Sequence, residues 1–217
     1  VLAAFERCAA FLDASMKTRI PAEVIRRAEN LKIIVTATTG ADHIDHAALK
    51  EREIPLFTLK GAEILKQFNG AAELSWLLLL ACARKVRSAI HHVEDGQWER
   101  TRFPGLMLRG KTIGIIGVGR LGTWMARYAR AFGMTVLGYD PYRHEMPEGV
   151  EPVGLDQLLS RSDAVTIHVH LNGESKGLLG IDRMRGMKRG AILINTSRGE
   201  IVDEAALAQA LREGIVG

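Results

Sequence analysis

The sequence predicts an α/β protein built on a parallel, doubly wound sheet. Three observations carry this. Short β-branched apolar runs, at residues 31–37, 112–117, 135–139, 164–169 and 191–195, alternate with stretches of helical periodicity. The run at 112–117 leads straight into glycines at Gly117, Gly119 and Gly122, and a helical pattern over 121–132 follows, closed by Gly133. The next run, 135–139, then ends in the acid Asp140. Strand, glycine-rich turn, helix, strand and acid in that order make the first βαβ unit of a dinucleotide-binding sheet.

Each part of that unit has a physical task. Gly117 permits the tight turn out of the strand, Gly119 lets the backbone approach a pyrophosphate, and Gly122 lets the helix pack close to the strand. Unpaired N–H groups and the positive dipole end of the helix then face the phosphates. Asp140 is placed to accept hydrogen bonds from both ribose hydroxyls and to repel a 2′-phosphate, so NAD is expected over NADP. Arg143, three residues on, keeps the phosphorylated cofactor open, because a nearby guanidinium can accommodate that phosphate.

Taken from the start, residues 1–10 read as helical and 11–14 as a short strand. Pro21 suits the first position of a helix running to about Asn30, and 31–37 is a buried strand. After the turn Thr38-Thr39-Gly40, Asp42 is expected to cap a helix through about Arg52, with a strand over 54–59. One long helix is expected over 69–93, begun by Asn69 or Gly70 and ended by Gly96. Leu74, Leu77, Leu78, Cys82 and Val86 share a face of it, and Trp76, Leu79 and Leu80 broaden the apolar surface. Such a helix is buried from more than one direction, bridging two domains or joining two subunits. Residues 97–110, with Pro104 and Gly105, cross into the nucleotide domain. Beyond Asp140 come a helix over 155–163, a strand over 164–169, a helix over 181–184, a strand over 191–195, and a helix capped by Asp203 that reaches Arg212. Gly119, Asp140, His170 and the trio Thr196-Ser197-Arg198 then lie just past strand ends, where such sheets bind ligands.

Composition excludes several classes. A chain of 217 residues holds one large or two modest domains, and 47% apolar with 25% charged residues is ordinary for a globular protein. Two cysteines, Cys8 and Cys82, imply no disulfide framework and a reducing compartment. The apolar run at 74–83 is about half the ~20 residues a membrane span needs, and no signal-peptide core appears, which points to the cytoplasm. Residue 1 is valine, so the natural start is expected to be missing or trimmed. The net charge of +4 comes from scattered basic residues, read as solvated helix ends rather than a nucleic-acid surface. No metal site is expected.

Four blocks now carry a family resemblance: TTGADHID at 38–45, AAELSWLLLLACARK at 71–85, GIIGVGRLG at 114–122 with its distal YDPY, and INTSRGEIVDEAALAQAL at 194–211. Together they resemble the D-isomer-specific 2-hydroxyacid dehydrogenases. The resemblance implies a Rossmann nucleotide domain plus a smaller flavodoxin-like α/β substrate domain. Here these would be residues 99–217 and 1–98, joined by the long helix at about 69–95, with the active site in the cleft between them. It implies oxidation of a D-2-hydroxy acid to its 2-keto acid, with a hydride passed to NAD. Arg198 matches the arginine that grips the substrate carboxylate and keto oxygen, permanently charged and forked. Thr39 and Gly40 match the loop whose N–H groups would meet that carboxylate, and Thr39 also matches a position near the nicotinamide. Arg120 and Leu121 match the pair under the pyrophosphate, Val169 and Thr196 match positions lining the nicotinamide ribose side, and Ser197 is expected among the cofactor contacts.

The resemblance places the family's catalytic glutamate and histidine beyond the helix at 203–212, and the sequence stops at Gly217, which is read as truncation. His168 matches a structural position, and His170 stands where many members carry proline. A small anionic 2-hydroxy or 2-keto acid is the expected partner, and the broad long helix suggests a homodimer. The alternative is a dinucleotide-sensing, corepressor-like interaction protein on the same fold. Residues 59–68 depart from the shorter loop common in the family, and Lys60 there is read as solvated.

Overall fold

A computed structural model describes residues 5–217. The chain forms two compact units, Val1–Phe68 and Asn69–Gly217. In the first, strands β1 (Ala10–Asp13), β2 (Ile33–Thr36) and β3 (Leu56–Phe57) pair in parallel in the order β1-β2-β3, with helices α1 (Ala22–Arg27) and α2 (His46–Glu51) between them. Ile20, Ile25, Ile34 and Leu49 fill its core. The helix expected over 1–10 lies partly outside the described residues, and Ala10 already opens β1. Pro21 stands one residue ahead of α1 as its N-cap.

Asp45, not Asp42, caps α2, its side chain accepting from Ala48 N–H at 2.8 Å. The reason lies outside the local pattern. Ile20 bonds His43 O through its N–H and accepts from Asp45 N–H through its own carbonyl, which holds residues 43–45 beside Ile20 until the helix can start. The strand expected over 54–59 shrinks to two residues, and a 3₁₀ turn, Glu63–Gln67, occupies the following loop.

The second unit is a five-stranded parallel sheet in the order β6-β5-β4-β7-β8. Its strands are β4 (Thr112–Ile116), β5 (Thr135–Tyr139), β6 (Glu151–Pro152), β7 (Ala164–Ile167) and β8 (Ile192–Asn195). Helices α3 (Gly70–Ala83), α4 (Val86–Glu94), α5 (Arg120–Ala131), α6 (Leu155–Arg161), α7 (Ile181–Arg185) and α8 (Glu204–Arg212) complete it. Alternation along β4 explains the two layers. Ile113 and Ile115 face a core shared with Leu79 of α3 and Met125 of α5. Ile116 faces Leu158, Leu159 and Met184 on the other side. Gly114 points the same way as Ile116 because α6 lies directly on it: an added Cβ would come 2.3 Å from Leu158 Cδ2. The two-residue edge strand β6 is too short to register as periodicity.

The single helix expected over 69–93 is two. Lys85 adopts a left-handed conformation (φ +52°) between α3 and α4, and the Ala83 carbonyl accepts from Leu106 N–H at 2.7 Å. That long-range bond takes up a carbonyl at the end of α3, and the left-handed residue ends the helix. The buried face also differs from expectation. Ala72, Ser75, Trp76, Leu79 and Ala83 pack inward, whereas Leu74 and Leu77 are 50% and 61% exposed and Cys82 is exposed. The α3 segment joins the core of the sheet it packs on, and the second compact unit begins at Asn69.

Candidate functional site

The sheet order sets the carboxyl ends of β5, β4, β7 and β8 side by side, with the winding reversing between β4 and β7. Ligands of open α/β sheets lie at such a reversal. Gly117 leaves β4 with φ +88°, its N–H donating to Tyr139 O at 2.8 Å. A Cβ there would stand 2.7 Å from the His168 carbonyl oxygen and from Val169 Cγ1. Gly122, in the first turn of α5, is tighter: its Cβ would stand 2.1 Å from Gly117 O. Gly119 is the reverse, with nothing within 4 Å of an added Cβ. The turn is therefore closed toward the protein and open outward. Among the described residues no side chain caps α5 and no acid occupies its first turn, which begins with the half-buried Arg120 and Leu121. The positive end of a 12-residue helix is thus left facing that opening.

Asp140 flanks the turn. Its Oδ2 accepts from Val118 N–H at 2.9 Å and its Oδ1 from Tyr142 N–H at 3.1 Å. Each carboxylate oxygen has a second lone pair, so neither bond exhausts it as an acceptor. Arg143 donates from Nη1 to Val118 O and from Nε to Glu145 O. The backbone N–H and C=O of Val118 are therefore held by an acid and a base three residues apart. Tyr142 OH donates to Glu174 on the loop that follows β7.

At the end of β7, His168 donates its backbone N–H to Ile116 O at 2.7 Å, and its Nε2 pairs with Thr166 Oγ1 at 2.9 Å. Its Nδ1 is buried with no hydrogen-bond partner, and burial pushes its pKa from 6.5 down to about 4. It is a neutral wall residue. His170 is exposed, and its carbonyl accepts from Ser175 Oγ at 2.6 Å.

The trio after β8 is braced from several sides. Ser197 Oγ donates to Ile167 O at 2.9 Å, and Ser197 N–H donates to Asn195 Oδ1 at 3.0 Å. Asn195 Nδ2 reaches Arg198 O at 2.8 Å. Thr196 Oγ1 lies 2.7 Å from Ser75 Oγ of α3. The half-buried Arg198 donates from Nη1 to Ser197 O at 3.0 Å. Asp203 then caps α8, accepting from Ala206 N–H at 2.9 Å. The second unit thus gathers Gly117, Gly119, Arg120, Leu121, Gly122, Asp140, Val169, Thr196, Ser197 and Arg198 at one sheet edge.

Thr39 and Gly40 lie in the first unit, on the loop after β2. There Thr38 Oγ1 donates to Gly40 O at 2.7 Å, and Thr36 and Thr38 hydroxyls pair. Below this loop His43 Nε2 meets Asp13 Oδ2 at 2.8 Å, both side chains buried. Desolvation raises the Asp13 pKa, but the N–H groups of Ser15 and Met16 and the His43 ring outweigh it and hold the carboxyl below its usual value. Sequence reasoning missed Ser75 and this pair. Ser75 had a visible signal, a lone hydroxyl on an otherwise apolar helical face.

Among the described residues no group of three or more His, Cys, Asp or Glu is placed to hold a metal, and no helix is long and apolar enough to cross a membrane. A dinucleotide fits the residues present: an open glycine cradle, an uncapped helix end and a carboxylate beside it.

Comparison with known proteins points the same way. Residues 76–217 match the family model of the D-isomer specific 2-hydroxyacid dehydrogenase, NAD binding domain. D-3-phosphoglycerate dehydrogenase of Archaeoglobus fulgidus is 44% identical over 92% of this chain and 38% of its own length. Glyoxylate reductase of Korarchaeum cryptofilum is 42% identical over 90% of this chain and 60% of its own. The chain therefore spans between about two fifths and three fifths of these relatives. The crystal structure of NAD-dependent formate dehydrogenase from Staphylococcus aureus in complex with NAD matches 99% of this chain and 65% of its own, at TM-score 0.90 and 31% identity. With the glycine turn, the acid and the arginine loop already in register, the chain belongs to the D-isomer specific 2-hydroxyacid dehydrogenase family, through the NAD binding domain.

Proposed function

We propose that the protein interconverts a D-2-hydroxy acid and its 2-keto acid by hydride transfer with NAD. The observation that carries this is the convergence, at one edge of the second unit, of the open glycine turn, Asp140 and the braced loop of Arg198. Substrate binding is assigned to the first unit and nucleotide binding to the second. The backbone of Gly117, Gly119, Arg120, Leu121 and Gly122 would hold the pyrophosphate, and Asp140 the adenosine ribose. Val169, Thr196 and Ser197 would line the nicotinamide side. When bound, NAD supplies the hydride acceptor. Arg198 would bind and orient the substrate carboxylate through paired, charge-assisted hydrogen bonds, with Thr39 and Gly40 as further substrate contacts. Arg143 is committed to the Val118 and Glu145 carbonyls rather than offered to a 2′-phosphate, which supports NAD over NADP.

A small anionic 2-keto acid suits one arginine, in keeping with the phosphoglycerate and glyoxylate named for the relatives. A homodimer is also inferred. Leu74, Leu77, Ile90 and Val93 on α3 and α4 are each at least half exposed, apolar side chains that a second copy would cover. A cytoplasmic metabolic role fits the relatives' activities.

The test is a panel of 2-keto acids followed by loss of NADH absorbance. Arg198→Ala should lower kcat/KM by about a hundredfold, the scale of hydrogen bonds to a charged group. Undiminished turnover in that variant would overturn the assignment.

A further inference from the structure

Ser75 is the one polar side chain on the inward face of α3, fully buried among Ala72, Trp76, Leu79 and Ala83. Its oxygen lies 2.8 Å from the Ala71 carbonyl, one turn back in the same helix, and 2.7 Å from Thr196 Oγ1. A hydroxyl carries a single proton. The Ala71 carbonyl can only accept, so the Ser75 proton goes to it. The contact with Thr196 must then use the Thr196 proton, with Ser75 Oγ accepting. Thr196 is left with lone pairs alone to present to a ligand.

We propose that Ser75 is a positioning residue whose buried hydroxyl fixes Thr196 as an obligate acceptor for the carboxamide amino group of NAD. This rests on the NAD reading of the site. The sheet order supplies the location. Asp140 follows β5 on one side of β4, and Thr196 follows β8 on the other, so adenosine at Asp140 puts the nicotinamide end toward Thr196. The chemistry supplies the group. A ribose hydroxyl turns to donate or accept and needs no neighbour of set polarity, whereas an amide –NH₂ only donates. A threonine locked as an acceptor selects the amide, and with it the rotation of the nicotinamide ring.

Binding of NAD should be compared with binding of 3-acetylpyridine adenine dinucleotide, in which a methyl replaces the carboxamide amino group. Both dissociation constants would be measured by calorimetry on wild type, Ser75→Ala, Ser75→Thr and Thr196→Val. Wild type should prefer NAD by about five- to tenfold, the range of one neutral hydrogen bond. Ser75→Ala keeps a good helix former in place and frees the Thr196 hydroxyl to rotate and to donate elsewhere, so the preference should narrow measurably without vanishing. Thr196→Val, which removes the acceptor altogether, should bring the preference to about one. Ser75→Thr, which retains the hydroxyl, should restore the preference. Tight NAD binding by wild type without discrimination, or discrimination undiminished in Ser75→Ala, would overturn the relay and leave the NAD reading standing. Binding of neither dinucleotide by wild type would overturn both.

Discussion

His168 packs its backbone against the glycine turn, with Nδ1 buried and unpartnered and a pKa pushed by burial from 6.5 to about 4. A depressed histidine pKa means that the unfolded chain binds the proton more readily than the folded one. Stability is therefore full above pH 6.5 and is lost as pH falls through that value toward 4. The full difference corresponds to about 3 kcal/mol, and roughly 1 kcal/mol of it should be gone by about pH 5.5. Urea denaturation across this window, on wild type and His168→Asn, isolates the effect, because the remaining histidines and acids are common to both. The wild-type midpoint should fall more steeply than that of the variant between about pH 6.5 and 4. The imidazole resonances of His168 should titrate near the lower end of the same window. Parallel curves for the two proteins, or a His168 titration near its ordinary value, would refute the burial argument.

Gly122→Ala would place Cβ 2.1 Å from the Gly117 carbonyl oxygen. Because that atom is backbone, the phosphate turn must open, and NADH fluorescence titration should show affinity reduced by at least about tenfold, with stability lowered by ~1–3 kcal/mol. Asp140→Ala removes the acceptor of Val118 N–H as well as the proposed ribose contact. It should therefore weaken NAD and NADP alike through the turn while also narrowing the preference between them; a change in preference with NADP affinity undiminished would remove the turn-holding role. Asp203→Ala deletes the cap bond to Ala206 N–H and should lower the urea-derived stability by about 1 kcal/mol, whereas Asp203→Ser should recover most of it.

What the sequence determined by itself is local. The βαβ unit from Thr112 to Asp140 could be read from periodicity and glycine spacing because a tight turn, a close backbone approach and a strand–helix contact each constrain one residue at a set offset. The same holds for Asp203, whose cap is a bond to a residue three positions away. The family resemblance placed Arg198 on the same terms, as part of one contiguous block. What only the tertiary structure decided depends on partners distant in the chain. Leu106 takes the Ala83 carbonyl and breaks the long helix at Lys85, and Ile20 delays the start of α2 from Asp42 to Asp45. Leu74 and Leu77 look as apolar as Leu79, and only the position of the sheet settles which face is covered. Ser75 and Thr196 stand far apart in the sequence, and nothing in either block says that their hydroxyls meet. A hydrogen bond between distant residues is chosen by how the elements pack, and packing is a property of the whole unit rather than of any window of residues within it.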